Sequence, residues 1–236
     1  MEYRYLGHSG LQVSVVGLGC NNFGGRTDEA QSVEVVNTAI DLGINLFDTS
    51  DSYGNRGGSE EILGRALKGK RRDVIIASKF SSPMGEGPHW SGGSRRYTYD
   101  AVEASLRRLG TDYIDVYQYH FPDPHTPLEE TLRALDDLVR DGKVRYIGNS
   151  NFTPSQVVEA AWIAKTEHLT PFISAQTQYN VLERSIKKSS YRCAPATVSA
   201  SFRSFHWRAA FSPANIAQVS QPRKANVWPD RWVSAS

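Results

Sequence analysis

VSVVGLGCNNFGG (Val13–Gly25) is an apolar run that empties into a glycine-rich turn, and that turn decides between two folds. Beyond it, helical and strand periods alternate. EAQSVEVVNTAIDLG (29–43) puts Val33, Val36, Ala39 and Ile40 on one helical face. There follow a strand INLFDTS (44–50), helix SEEILGRALKG (59–69), strand DVIIASKF (73–80), helix TYDAVEASLRRLG (98–110) and strand IDVYQYH (114–120). Helix PLEETLRALDDLVRDG (127–142), strand KVRYIGNSN (143–151), helix PSQVVEAAWIAKTEHL (154–169) and strand FISAQTQYN (172–180) complete the series. With residues 13–19 as the first, six strands alternating with helices predict a mainly parallel α/β sheet, either open and doubly wound or closed as an eightfold barrel. An open nucleotide-binding sheet carries GxGxxG after its first strand, with a helix at once. GLGCNNFGG has neither, so the spacing favours a (β/α)8 TIM barrel with about six of its eight βα units.

Two helix starts read as capping boxes with proline in the first turn, Thr126-Pro-Leu-Glu129 and Thr153-Pro-Ser-Gln156. The 236 residues, 39% hydrophobic and 22% charged, suit a soluble chain with one large core. No apolar run has the length of a membrane helix, and MEYRYLGHSG lacks the pattern of a signal peptide. A cytoplasmic protein with no membrane partner is expected. Cys20 and Cys193 stand in unlike surroundings without metal-ligand spacing, which predicts free thiols and no metal site. The basic run KGKRR (68–72) reads as a solvated helix end, with no nucleic-acid partner implied.

Barrel chemistry gathers at the C-terminal ends of the strands. Those ends carry Asp48 and Tyr53, Lys79, His120, Ser150 and Asn151, then Gln176 and Tyr179. A lysine inside VIIASKF is costly unless paired, and Asp48 on the neighbouring strand is its counter-charge. An ammonium beside the Tyr53 phenol is expected to lower its pKa and make it a proton donor near neutrality, while His120 hydrogen-bonds the same substrate oxygen.

FDTSDSYG (47–54), SEEILGRAL, ASKF, YQYHFPD, YIGNSNF and AQTQYNVLER together resemble the aldo-keto reductase family, from Met1 to about residue 186. The opening YRYLGHSGLQVSVVGLG is similar to that family's N-terminal β-hairpin. What the resemblance implies is NADPH-dependent hydride transfer to an aldehyde or ketone, a small-molecule carbonyl substrate. Tyr53 matches the general acid, Lys79 and Asp48 its tuning pair, and His120 the carbonyl-orienting residue. By the same resemblance Ser150, Asn151 and Gln176 hydrogen-bond the nicotinamide carboxamide, and Cys20 and Asn21 lie in the loop approaching the cofactor ribose and phosphates.

After YNVLER the resemblance stops. Residues 1–186 carry 19 basic and 24 acidic side chains, residues 187–236 carry 8 and 1, and this last stretch has no glycine. A family-like segment PLAGGLLTGKYR, read one nucleotide late, yields HWRAAFSPANIA, which is residues 206–217. The chain is therefore read as a partial barrel over 1–186 followed by an irregular, out-of-frame tail over 187–236. The tail is expected to supply no regular seventh and eighth βα units. Two alternatives to an active reductase accompany this reading: an inactive frameshifted fragment, and a non-catalytic cofactor-sensing subunit.

Overall fold

The computed structural model describes residues 1–178 and the backbone of 201–204. An antiparallel hairpin opens the chain, β1 (Tyr3–Tyr5) with β2 (Gln12–Ser14), in a register that sets Tyr3 opposite Ser14. Then come β3 (Leu18–Gly19), α1 (Glu29–Asp41), β4 (Leu46–Asp48), α2 (Tyr53–Ala66), β5 (Ile75–Phe80), α3 (Arg95–Leu109) and β6 (Ile114–Tyr119). They are followed by α4 (Leu128–Arg140), β7 (Val144–Ser150), α5 (Pro154–Thr166), β8 (Ser174–Gln178) and β9 (Ser201–Ser204). Strands β3 to β9 pair in sequence order, every pair parallel. With a helix in each crossover from β3 to β8, this is the expected partial TIM barrel. Among the described residues β3 and β9 are its edges.

The structure differs from the sequence expectation in three places. The run 13–19 is two strands: Val13 and Ser14 belong to the hairpin, held where the Ser14 amide donates to Asn45 Oδ1 at 2.7 Å, and only Leu18 and Gly19 join the sheet. Ser201–Ser204, expected to be irregular, pairs in parallel with β8, Ala175 opposite Ser201. At Thr153 the capping box forms in full, but Thr126 does not cap α4. Its hydroxyl donates to Asp123 Oδ2 at 2.6 Å, and α4 begins at Leu128 with Pro127, which has no side-chain acceptor, at the N-cap position.

Strand alternation builds the interior in layers. Leu46, Ile75, Ala77 and Val116 point inward, and the hairpin side chains Leu6 and Val13 pack against them as an apolar plug. Phe47, Ile76, Phe80, Tyr117 and Tyr119 point outward into the main core, under helices that contribute Leu63, Val102, Leu132, Leu135 and Leu138. One step up the inward face from the plug stand Asp48, Lys79, Gln118 and Gln176, a polar layer tied together by hydrogen bonds. Both β5 and β6 are buried throughout, as central parallel strands covered on both faces must be.

Candidate active site

Lys79, 1% exposed, is the centre of this layer. Its Nζ donates to both carboxylate oxygens of Asp48 at 2.9 Å and to the Thr49 carbonyl at 2.8 Å, and lies 3.5 Å from the Tyr53 hydroxyl. Burial works against the ammonium, but Asp48 and Tyr53 outweigh it and hold the Lys79 pKa above its ordinary value. Asp48 also accepts from the side-chain amides of Gln118, 3.3 Å, and Gln176, 3.1 Å. A single carboxylate thus collects one ammonium and two amides.

Tyr53 reaches this group through an unusual piece of backbone. Gly54, Asn55, Arg56 and Gly57 all have positive φ, a left-handed turn that precedes the right-handed body of α2. Gly54 is required there, because a Cβ would strike the Phe23 carbonyl oxygen and come 2.5 Å from the Ser59 nitrogen. The expected lowering of the Tyr53 pKa is not found. Burial raises it and outweighs the nearby Lys79 charge, so the phenol is held above its ordinary value and keeps its proton. A buried phenol loses more solvation on ionising than one ammonium shared with Asp48 returns.

His120 stands edge-on to Tyr53, ring centroids 6.0 Å apart, with its Nδ1 3.3 Å from both Ser50 Oγ and Ser82 Oγ. The four strand-end residues Asp48, Tyr53, Lys79 and His120 therefore converge. Asn151, at positive φ, donates to the His120 carbonyl at 3.0 Å and to Ser150 Oγ at 3.1 Å, and its backbone amide donates to the Gln176 carbonyl. Ser150, Asn151 and Gln176 are thus neighbours on one rim, while Tyr179 lies outside the described residues.

Cys20 and Asn21 diverge. The Cys20 thiol is fully buried in the main core, its pKa raised by burial and by Asp48 against the pull of Lys79, and its backbone amide and carbonyl bond Asp48 and Ser59. Only Asn21 of the pair is exposed. Sequence reasoning missed Gln118, although it lies two residues before His120 on the same strand face. It also missed Asp51, the second aspartate of FDTSDSYG, which is buried and bonded to Ser50.

The residues present fit a nicotinamide carboxamide. Gln176 Oε1 is buried without a hydrogen-bond partner among the described residues, an acceptor that a carboxamide N–H would satisfy. Among the described residues no group of His, Cys, Asp and Glu side chains is arranged to hold a metal ion, and no helix is long and apolar enough to cross a membrane.

Residues 15–194 match the family described as the Aldo/keto reductase family. The chain is 40% identical over 195 residues to an aldo-keto reductase of Bacillus subtilis (strain 168), covering 80% of this chain and 57% of the relative. It is 37% identical over 195 residues to an L-glyceraldehyde 3-phosphate reductase of Escherichia coli (strain K12), covering 80% and 56%. It is also 37% identical over 188 residues to a probable voltage-gated potassium channel subunit beta of Arabidopsis thaliana, covering 78% and 57%. The chain spans little more than half the length of these relatives.

Proposed function

The chain belongs to the aldo/keto reductase family, and from that premise we propose that its site serves NADPH-dependent reduction of an aldehyde or ketone, with Tyr53 as general acid. The observation that carries this reading is the buried ammonium of Lys79, 2.9 Å from Asp48 and 3.5 Å from the Tyr53 oxygen. A general acid must hold its proton until the transition state needs it, and the raised Tyr53 pKa does that. When the proton leaves, the phenolate forms beside an ammonium already fixed in place, so the charge is stabilised without reorganisation. Asp48 keeps Lys79 charged, and the Gln118 and Gln176 amides keep Asp48 oriented. His120 flanks Tyr53 and orients the carbonyl oxygen to be protonated.

The dihydronicotinamide supplies the hydride. Gln176, with Ser150 and Asn151 beside it, would hold the carboxamide. The test is a fluorescence titration of purified protein with NADPH and NADH, followed by turnover of simple aldehydes. Tyr53→Phe should reduce turnover by about 10²–10⁴-fold and leave the cofactor titration unchanged. Unaltered turnover in that variant would remove Tyr53 from the chemistry. A second reading, a cofactor-sensing subunit, rests on the likeness to the potassium channel subunit beta. Cofactor binding with no turnover of any carbonyl would select it.

A further inference from the structure

Ser81, the first residue after β5, is buried at a backbone φ of +97°, a conformation that glycine adopts freely and other residues only under strain. Its side chain does what glycine could not. The Ser81 hydroxyl donates to the Phe121 carbonyl at 3.0 Å and accepts from the Phe121 amide at 3.0 Å, so one oxygen ties together the two peptide units that flank the Phe121 Cα. The Phe121 ring is stacked on the imidazole of His120, with centroids 4.3 Å apart and planes 25° from parallel. We propose that Ser81 is a positioning residue for His120, acting through the backbone of Phe121 and the ring that this backbone holds against the imidazole.

The chain leaving β6 is bonded at each peptide group as it passes the site. The His120 amide donates to the Phe80 carbonyl at 3.0 Å, the His120 carbonyl accepts from Asn151 Nδ2 at 3.0 Å, and Ser81 takes both groups of Phe121. Pro122 comes next and has no N–H to give. The Ser81 clamp is the one that reaches Phe121, and it fixes the direction of the Phe121 Cα–Cβ bond. That matters because the Phe121 ring is 49% exposed, so burial in the core does not hold it in place.

A histidine ring turns in a broad well about its outer torsion, and the rings around it narrow that well. Phe121 stacks on the imidazole and Tyr53 stands edge-on to it, so a displaced Phe121 lets the imidazole swing away from the carbonyl oxygen it is proposed to orient. Glycine at position 81 would relieve the φ but leave both Phe121 peptide groups without the hydroxyl. Serine there keeps a strained backbone and gains the clamp, the pattern of a residue that serves the site rather than the fold.

The effect on turnover rests on the reductase reading, but the placement of the ring does not, and the experiment reads both. Carbon-13 NMR of the histidine-labelled chain follows the His120 ring protons, assigned by their loss in His120→Gln, and Phe121→Leu measures how far the stacked ring moves them upfield. Ser81→Gly removes the hydroxyl and relieves the φ, whereas Ser81→Ala removes it and keeps the strain. In both, the upfield shift should collapse toward the Phe121→Leu value, while the ring signals of His8, in the hairpin turn, and His168, after α5, stay in place. The kcat of Ser81→Gly should fall by about 10–100-fold with the NADPH titration unchanged, since a misplacement of about 1 Å costs on the order of a hundredfold. The proposal is overturned by a wild-type shift retained in either Ser81 variant, by no difference between wild type and Phe121→Leu, or by a lost shift with unchanged kcat. Loss of the His8 and His168 signals in either Ser81 variant would overturn it too, by showing a residue that serves the fold as a whole. A wild-type chain that shows the shift, loses it in both Ser81 variants and reduces no carbonyl would sink the reductase reading and leave the placement of the ring by Ser81 standing.

Discussion

Lys79 Nζ lies 2.9 Å from each carboxylate oxygen of Asp48, in a pair where the lysine is 1% and the aspartate side chain 22% exposed. An ion pair this enclosed is costly to halve. Asp48→Asn should destabilise the fold by about 3–5 kcal/mol, because it leaves an ammonium in the barrel with neutral partners. Lys79→Met should cost a similar amount, and the double variant less than the sum of the two singles. Urea melts of the three variants measure this. Additive losses would show that the two charges do not depend on one another.

The buried Asp51 gives a pH dependence of opposite sign to that of an ordinary carboxylate. Its folded pKa, about 7, stands above the ordinary value near 3.8, so between those pH values the folded state binds the extra proton. Stability from this group is fully present below pH of about 4 and is lost as pH rises through about 7. Asp51→Asn should therefore stabilise the protein at pH 8, by an amount on the order of a few kcal/mol, and the gain should vanish by pH 4. Melting temperatures across that range check it, and a gain that grows on acidification would contradict the assignment.

At the left-handed turn, two neighbouring substitutions should have opposite effects. Gly54→Ala meets the Phe23 carbonyl at φ +66° and should cost more than about 2 kcal/mol, through αL strain of about 1–2 kcal/mol plus the collision. Arg56→Gly, at φ +67°, relieves the same kind of strain and should be neutral or stabilising by up to about 1 kcal/mol. Thermal denaturation of both variants provides the comparison. Equal losses would show that the turn is not held by its backbone conformation.

For the residues after about 186 we propose translation out of frame, from the change in charge balance and the match of HWRAAFSPANIA (206–217) to a shifted family segment. DNA sequenced across the codons for residues 180–220 should carry a family-like reading frame one nucleotide away. Protein made from the restored frame should bind NADPH more tightly than the 236-residue chain, in the same fluorescence titration. Equal binding by the two would remove the frame from consideration.

Much of the fold was legible along the chain, because a parallel barrel is written in local periods: apolar strands of period two, helices of period 3.6, and polar residues where each strand runs out. Asp48, Tyr53, Lys79 and His120 could be named as a set on that basis, since successive strand ends must share a rim. The Thr153 capping box was equally legible, its partners lying within three residues. Other features needed distances that no local pattern contains. Thr126 carried the same signature, but its hydroxyl donates to the Asp123 carboxylate and α4 begins at Leu128. Gln118 joined Asp48 because the register of the parallel strands sets it beside Lys79 on one neighbour and Gly148 on the other. The sign of the Tyr53 shift was likewise a tertiary result. Sequence placed an ammonium near the phenol, but whether that charge or the loss of water prevails depends on how deeply the folded chain buries them both.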